Sequence, residues 1–540
     1  MNYSQESLER IEKVKNLKAI WINPYANKFD KKNNLEELKN LEENSKNFVD
    51  VNFLIENWAE NKFSTTWRLM MYRTHWKLAF WKIRDFSWDL QIAFVKWKFK
   101  ISDWKNLFEE LEVWWQNYIS HKFVEKIIDM WDFVWVKGEM FVTKHWEKTL
   151  FVNEIQILSK AIRPLPEKFH WIQDQDAIYR QRYLDLTMNE KSYQDAVFRT
   201  KFIKTLREFY WKKWFLEVET PILWNAASWA AAKPFITHHN DFDLDVYLRI
   251  APEIWLKMAT AWRFEKVFEI WKNFRNEWSD PSHMQEFSVV EHYAAWWNFE
   301  DNMSFTEELF NYIFEELNID KKIKVKDKNW NEQIVDFWKK FERIDYIKWV
   351  KKESWIDVSK YWPEDEEELR DLIKSKWIEF EWMDKMTTAT LIDYLYKKVL
   401  RPKIIWPAFV YNYPKTMQPL ARQNDENENI VEQFQMVINW WEINKAYSEL
   451  VDPMIQKENF DDQSWAIEKW DEEATAWDDD FVLAMEHWMP CQSWFWMWLD
   501  RIITLITWQE NLRDSILFPL MKPINWGVDS ENDENSENDK

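Results

Sequence analysis

Two stretches of this 540-residue chain concentrate side chains that handle phosphates and amines. In KVFEIWKNFRNEWSDPSHMQEFSVVEHY, Arg275, Glu277, His283, Glu286 and Glu291 alternate with apolar residues in a strand–loop–strand pattern. Period-2 spacing would put Arg275 and Glu277 on one face. An arginine grips a phosphate or carboxylate through two parallel charge-assisted hydrogen bonds, while Glu277 and Glu291 can receive amines. Taken alone, the segment reads equally well as a solvated strand face. The second stretch, CQSWFWMWLDRIITLI, becomes a run of small residues leading into an amphipathic helix if its tryptophans stand for glycines. The dipole at that helix start, with Arg501 beside it, would favour an anion. Glu449 in AYSELVDP reads by itself as a helix-surface glutamate, and Phe80 as a core residue. Adjacent residues on a strand face opposite ways, so His238 and His239 are expected to play a structural part rather than share a metal.

The glycine reading of tryptophan comes from composition. Glycine usually makes up about 7% of residues, roughly 38 in a chain this long, yet there are 2, against 43 tryptophans. Many tryptophans occupy turn and close-approach positions, as in WINPY, KKWFLEVETP and SWFWMWLDR, where glycine makes physical sense. Overpacking by even a few methylenes costs about 1–3 kcal/mol, against a total stability of about 5–15 kcal/mol. Most of these positions are therefore expected to be glycines, encoded by UGA in a genome that reads this codon as glycine. The abundance of Lys, Asn and Ile agrees with an AT-rich genome. Some tryptophans are expected to be genuine, such as one of Trp296 and Trp297 or one of Trp440 and Trp441.

The elements that would position these residues fall into blocks. Residues 1–55 carry charged helical sequence such as LERIEKVKNLKAI. From 60 to 160, five short alternating runs (TTWRLMMYR, LAFWKIRD, DLQIAFVK, DFVWVKGEMFVTKH and KTLFVNEIQIL) fit a small five-stranded barrel, for which an OB-fold is the natural candidate. Residues 170–525 alternate long helical patterns with strands, giving an α+β domain with a charged, mostly helical insertion at about 320–400. Residues 526–540 form an acidic tail expected to be disordered. The net charge of −21 argues against a generally basic nucleic-acid binder, although AFVKWKFKISDWK could supply local phosphate contacts. Cys491 is the only cysteine, which rules out an internal disulfide and any multi-cysteine zinc site. No run of eighteen apolar residues and no secretory pattern is present, so the expectation is a cytoplasmic protein without a membrane span.

At this point the chain resembles a known family. WFLEVETP, FRNEWSDPSHMQEF and WFWMWLDR are similar to motifs 1, 2 and 3 of class II aminoacyl-tRNA synthetases, in that order. PLPEKFHWIQDQDAIYRQRYLDL, AAAKPFITHHNDFDLDVYLRIAPE and LRDSILFPLMKP resemble the lysyl-tRNA synthetases specifically. The likeness covers about residues 10–525, and each family glycine in these stretches falls on a tryptophan.

The resemblance implies an anticodon-binding OB-fold followed by an antiparallel sheet flanked by helices. It also implies ATP, L-lysine and tRNA(Lys) as substrates, and a homodimer with Pro221 at its interface. Arg275 would hold the α-phosphate and the substrate carboxylate, and Arg501 the γ-phosphate; both count as catalytic. Phe287 would stack on adenine, with Glu277, His283 and Glu442 near the nucleotide. Glu253 would bind the α-amino group, and Glu449 with Tyr293 the ε-ammonium, with Glu291 and Tyr447 close by. Catalysis is then mainly positioning and charge neutralisation, because the lysine carboxylate itself attacks phosphorus without a general base. In the barrel, Arg73, Phe80, Gln91 and Glu147 match anticodon-reading positions. Two departures stand out. Lys445 replaces an asparagine that touches the amino-acid carboxylate, and Gln435 replaces a glutamate that binds Mg2+ alongside Glu442. The rival readings are an aspartyl- or asparaginyl-tRNA synthetase, whose pocket wants a cation where Glu449 stands, and a catalytically dead relative serving as an RNA-binding module.

Overall fold

The computed structural model describes residues 3–19, 22–42, 47–57, 62–74, 78–95, 99–102, 126–165, 174–225, 232–278, 280–328, 330–380, 383–418, 420–459 and 479–523. The acidic tail and part of AFVKWKFKISDWK lie outside them. Among the described residues no helix is long and apolar enough to cross a membrane. The chain divides into two compact units, Met1–Gln173 and Asp174–Lys540.

The first unit opens with helix α1 (Gln5–Ala19), which buries Val14 and Leu17. Strands β1 (Phe63–Thr74), β2 (Leu78–Arg84), β3 (Asp89–Val95), β4 (Phe133–Val142) and β5 (Lys148–Ser159) follow. They pair in the order β3-β2-β1-β4-β5, β3 also pairs in parallel with β5, and a sixth, short strand, Lys100–Ile101, pairs in parallel with β5 at the end of the sheet. Their alternation buries Leu69, Trp81, Ile83, Ile92, Val134, Val136, Leu150 and Ile155 as one core. Gly138 sits at a register shift between β4 and β5. A Cβ there would lie 1.8 Å from the Phe151 carbonyl oxygen, so that position tolerates only glycine.

The second unit is built on a mostly antiparallel sheet. Its main strands are β6 (Lys266–Phe274), β7 (Glu286–Ala295), β8 (Ala408–Pro414), β9 (Asn427–Ile438), β10 (Trp441–Ser448) and β11 (Gln492–Trp498). The order is β8-β9-β10-β11-β7-β6, with the short strands Glu342–Asp345 and Leu216–Glu217 added in parallel at the two ends. One face of the central strands, with Phe268, Val290, Ala294, Phe434, Met436, Ala446, Phe495 and Met497 among its residues, shares a core with helices α2 (Glu190–Lys212), α3 (Phe299–Glu316) and α4 (Leu499–Ile506). Within 320–400, strands precede helices: Lys322–Lys326 pairs with Glu332–Asp336, and Glu342–Asp345 joins the main sheet before the helices begin at Tyr346. Tyr346, Val350, Ile373, Leu391 and Tyr396 bury against the face of the sheet opposite α2–α4, in one cluster with Val289 and Tyr293.

Candidate functional site

That opposite face carries the residues that alternate with these along each strand, and the register brings the expected site residues together. Antiparallel pairing sets Glu291 opposite Trp496 and Tyr293 opposite Trp494 between β7 and β11. Lys445 lies opposite Trp496, and Tyr447 opposite Trp494, between β10 and β11. Cross-strand partners share a face, so Phe287, Glu291, Tyr293, Lys445, Tyr447, Trp494, Trp496 and Trp498 all project to one side.

The cationic end holds two arginines. Arg275 lies one residue beyond β6, where Glu277 N–H donates to the Arg275 carbonyl at 3.0 Å. The chain therefore turns here, and the strand alternation expected to align Arg275 with Glu277 stops at Phe274. The Arg275 guanidinium lies 5.2 Å from the centre of the Phe287 ring, 5.0 Å from Trp496 and 5.5 Å from Trp498. Arg501 lies 4.2 Å from the same Trp498 ring. The small-residue lead-in expected before it is instead a strand, β11, because SWFWMW alternates and buries Phe495 and Met497 in the opposite core. Asp500 fixes the junction: its Oδ2 accepts from the Ser288 N–H at 2.6 Å, and its Oδ1 is 2.6 Å from Arg199 Nη1.

Neither arginine has a carboxylate within ion-pair distance among the described residues. Arg501 donates to the Glu442 carbonyl at 2.9 Å and meets His283 Nε2 at 3.2 Å. His283 Nδ1 lies 2.8 Å from Asp280 Oδ2. Burial, opposed by Glu442, pulls Arg501 down to about 10, with Arg401 and Arg275 adding to the decrease. Burial lowers Arg275 as well. Burial and the neighbouring Arg501 depress His283, which keeps Nε2 able to accept a hydrogen bond. Two buried guanidinium groups without counter-ions, over one ring, make a site for a polyanion.

The acidic end is buried. Glu253, Glu291 and Glu449 are 8%, 0% and 3% exposed. Glu253 is the first residue of the helix Glu253–Trp262, and its Oε1 accepts from the Tyr447 hydroxyl at 2.8 Å. Glu449, which could be read alone as a helix-surface residue, instead follows β10, with its N–H donating to the Gln492 carbonyl at 2.9 Å. Among the described residues, its Oε1 and Glu291 Oε2 are buried without a hydrogen-bond partner. Burial pushes Glu449 up to about 8; Lys257 opposes that rise and Glu253 adds to it. Burial and Glu253 raise Glu291 far above the carboxylate range. Tyr293 reaches Glu291 at 3.5 Å. Lys445, under the combined fields of Glu442 and Glu253, lies between the two ends, and burial lowers its ammonium. Such a pocket suits an ammonium ligand, whose charge supplies what the carboxylates lack.

Lys257, which the sequence reading missed, enters the same pocket: its Nζ is 2.7 Å from Glu253 Oε1 and 3.0 Å from Glu449 Oε2. The i,i+4 pair in PEIWLK was the available signal, but on a helix this spacing usually marks an exposed pair. Gln435 lies opposite Lys445 and its Oε1 accepts from the Tyr413 hydroxyl at 2.9 Å. His238 lies 3.2 Å from Asp245 and 3.4 Å from Asp243. No cluster of three or more His, Cys, Asp or Glu suited to a metal occurs among the described residues. A cavity of about 400 Å3, lined by Asp280, Ser282, Lys326 and Trp440, lies beside the His283 loop.

In the first unit, Arg73 pairs with Phe80, and Lys82 with Gln91. Arg73, Phe80 and Gln91 thus share one face of the sheet. Gln91 Nε2 donates to Thr149 Oγ1 at 3.0 Å, and that hydroxyl donates to the Glu147 carbonyl at 3.2 Å.

Comparison with known proteins places these features in a family context. The family model for tRNA synthetases class II (D, K and N) matches residues 174–522. A lysine–tRNA ligase of Thermosipho africanus is 36% identical over 521 residues, covering 96% of each chain. A lysine–tRNA ligase of Aquifex aeolicus is 38% identical, covering 84% of this chain and 72% of its own. One of Clostridium novyi is 38% identical over 91% of this chain and 94% of its own.

Proposed function

Since the chain belongs to the class II tRNA synthetases (D, K and N), within them to the lysine–tRNA ligases, we propose that its two-ended site activates L-lysine with ATP and loads it onto tRNA(Lys). The observation that carries this reading is the convergence of two unpaired guanidinium groups on the Trp498 ring, on the same sheet face as the buried carboxylates. Arg275 would hold the α-phosphate and the lysine carboxylate, with Arg501 on the γ-phosphate. Glu253 would receive the α-amino group and Glu449 the ε-ammonium. A lysine carboxylate oxygen attacks the α-phosphorus, the bond to the bridging oxygen breaks, and pyrophosphate leaves. Both arginines neutralise charge as it shifts toward the leaving group. No protein group needs to take a proton.

Mg2+ fits beside them. The Glu442 carboxylate can supply one oxygen ligand while nucleotide phosphates and waters supply the rest, as this ion prefers. Gln435, its amide oxygen occupied by Tyr413, is a weaker donor. When bound, the ion would neutralise phosphate charge.

Lysine-dependent ATP–pyrophosphate exchange tests the reading. Exchange with lysine, and none with aspartate or asparagine, is expected. Exchange with aspartate would favour the rival ligases, and no exchange with any amino acid would favour a catalytically dead relative.

The five-stranded unit, read as an OB-fold, would bind the anticodon on the face shared by Arg73, Phe80 and Gln91, with Glu147 at its edge. A stacked aromatic contributes about 1–3 kcal/mol per base. Phe80→Ala is therefore expected to lower kcat/KM for tRNA charging about 10- to 100-fold and leave ATP–pyrophosphate exchange unchanged. Equal loss in both assays would count against anticodon stacking. A homodimer would form through the motif 1 region, where Pro221, Leu216 and Leu223 are exposed. Such an enzyme would work in the cytoplasm.

We further propose that most tryptophans of this chain are glycines in the working protein, decoded from UGA. Backbone geometry supports this independently of composition. Among the described residues, fourteen non-glycine positions have positive φ, and nine of them are tryptophans, from Trp508 at 57° to Trp131 at 79°. Trp214 and Trp508 each follow a helix, and the next residue's N–H bonds back into the last turn: Phe215 to the Tyr210 carbonyl at 3.1 Å, and Gln509 to that of Thr504 at 3.0 Å. That is the helix-ending arrangement glycine usually supplies. A left-handed conformation costs a residue with a Cβ about 1–2 kcal/mol. The indoles recover little of this cost, since Trp377 and Trp214 are 96% and 86% exposed. The mass of a peptide spanning residues 494–501 decides the matter: glycine at 494, 496 and 498 is expected, and three tryptophans would overturn the proposal.

A further inference from the structure

The amino-acid pocket contains a lysine of its own. Lys257 is buried, 2% exposed, and sits between the two carboxylates assigned above to opposite ends of the substrate. Glu253 Oε1 accepts from both Lys257 Nζ at 2.7 Å and the Tyr447 hydroxyl at 2.8 Å. Glu449 offers Oε2 to Lys257 at 3.0 Å and keeps Oε1 buried without a hydrogen bond. The Lys257 ammonium also lies 5.8 Å from the Tyr447 ring and 5.4 Å from Phe481, which close around it. We propose that Lys257 is a positioning residue: it clamps Glu253 and Glu449 at a fixed separation and leaves one Glu449 oxygen for the substrate ammonium, thereby setting the ligand's charge and chain length. The proposal rests on the lysine-activating reading of the site.

Two buried carboxylates without a cation between them would share a proton, as like charges in one site do. The protonated member could then no longer accept an ammonium. Among the described residues, the groups facing Glu449 are Glu253 and Lys257 from the helix Glu253–Trp262, Tyr293 from β7 and Tyr447 from β10. Lys257 is the only cation among them. It therefore opposes protonation of Glu449, and once both carboxylates are ionised the internal ammonium leaves a single negative charge. Because the same ammonium holds both carboxylates, it also fixes the distance between the α-amino and ε-amino subsites. A competing role, with Lys257 blocking the ε-ammonium position, fits less well, because Glu449 Oε1 stays open beside it.

Steady-state exchange kinetics on the intact protein test this. Lys257→Met is expected to raise the lysine KM at least about tenfold with the ATP KM unchanged, and to narrow the preference for lysine over ornithine, one methylene shorter. The pH profile moves in a direction a structural role would not produce. In the parent, lysine affinity rises with pH until Glu449 is ionised, near its value of about 8. In Lys257→Met the ion pair opposing protonation is gone, so this rise shifts to higher pH. Should Lys257→Met fail to fold, Lys257→Arg keeps the charge but moves it. That variant is expected to retain the parental pH profile while losing discrimination against ornithine. A parental lysine KM, ornithine ratio and pH profile in the variant tested would overturn the proposal alone, as would lysine and ATP KM values rising together. Absence of lysine-dependent exchange in the parent would overturn the functional reading and the proposal with it.

Discussion

Arg275→Ala is expected to lower lysine-dependent ATP–pyrophosphate exchange by about 10³-fold or more, the scale of removing a donor aimed at developing charge in a water-excluded site. Arg275 would contact both reactants, and its guanidinium is buried against Phe287 with no carboxylate partner among the described residues. Its cost is carried by the empty protein and recovered when an anion arrives. Two consequences distinguish this from a structural role. Arg275→Lys keeps a charge but loses the planar fork, so exchange should still fall by about 10- to 100-fold. Thermal stability of Arg275→Ala should be unchanged or higher, since an unpaired buried cation is removed. Kinetics alongside thermal denaturation check both. Near-parental exchange in Arg275→Ala, or a large fall in melting temperature, would contradict the assignment.

The second large effect concerns the three indoles of β11. Trp498 stacks on Phe287 with ring centres 4.4 Å apart, in the place adenine would take. Trp494 donates from Nε1 to Glu291 Oε1 at 2.6 Å and lies 4.5 Å from Tyr447, in the place the substrate side chain would take. Glycine at 494, 496 and 498 is therefore expected to support exchange, and protein carrying tryptophan at all three to fall at least about 10³-fold below it, because neither substrate could seat in a near-attack arrangement. Single restorations should separate the subsites. Glycine at 498 alone should recover binding of ATP, and glycine at 494 alone binding of lysine, as read by calorimetry. Equal exchange in the two proteins would show that the indoles do not occupy the reactant space.

Much of this site was legible in the sequence because its chemistry follows residue type and strand register. Glu291 and Tyr293 lie on β7, Arg275 follows the neighbouring β6 and Arg501 follows β11 on the other side, so local motifs capture the grouping. The five alternating runs between 65 and 158 likewise coincide with five strands, since period-2 burial of Ile, Val and Leu is a local signal. What was not legible depends on contacts distant in sequence. Reading the tryptophans of β11 as small residues suggested a flexible lead-in, yet Phe495 and Met497 anchor a strand by packing against helices hundreds of residues away. Glu449 reads as a surface glutamate until β10 is known to end at Ser448 and turn it inward. Lys257 looks like half of an exposed helix pair because its second partner, Glu449, is 192 residues away. At Arg275 the alternation suggested a strand face, but the backbone hydrogen bond from Glu277 turns the chain.

Whether one sheet face holds a nucleotide at its guanidinium end and a lysine side chain at its acidic end is decided by a crystal structure with a non-hydrolysable lysyl-adenylate analogue. The phosphate analogue is expected against Arg275, the adenine on Phe287, and the ε-ammonium within hydrogen-bond distance of Glu449 Oε1. An analogue seated instead in the cavity lined by Asp280, Lys326 and Trp440, or bound with its side chain away from Glu449, would contradict this placement.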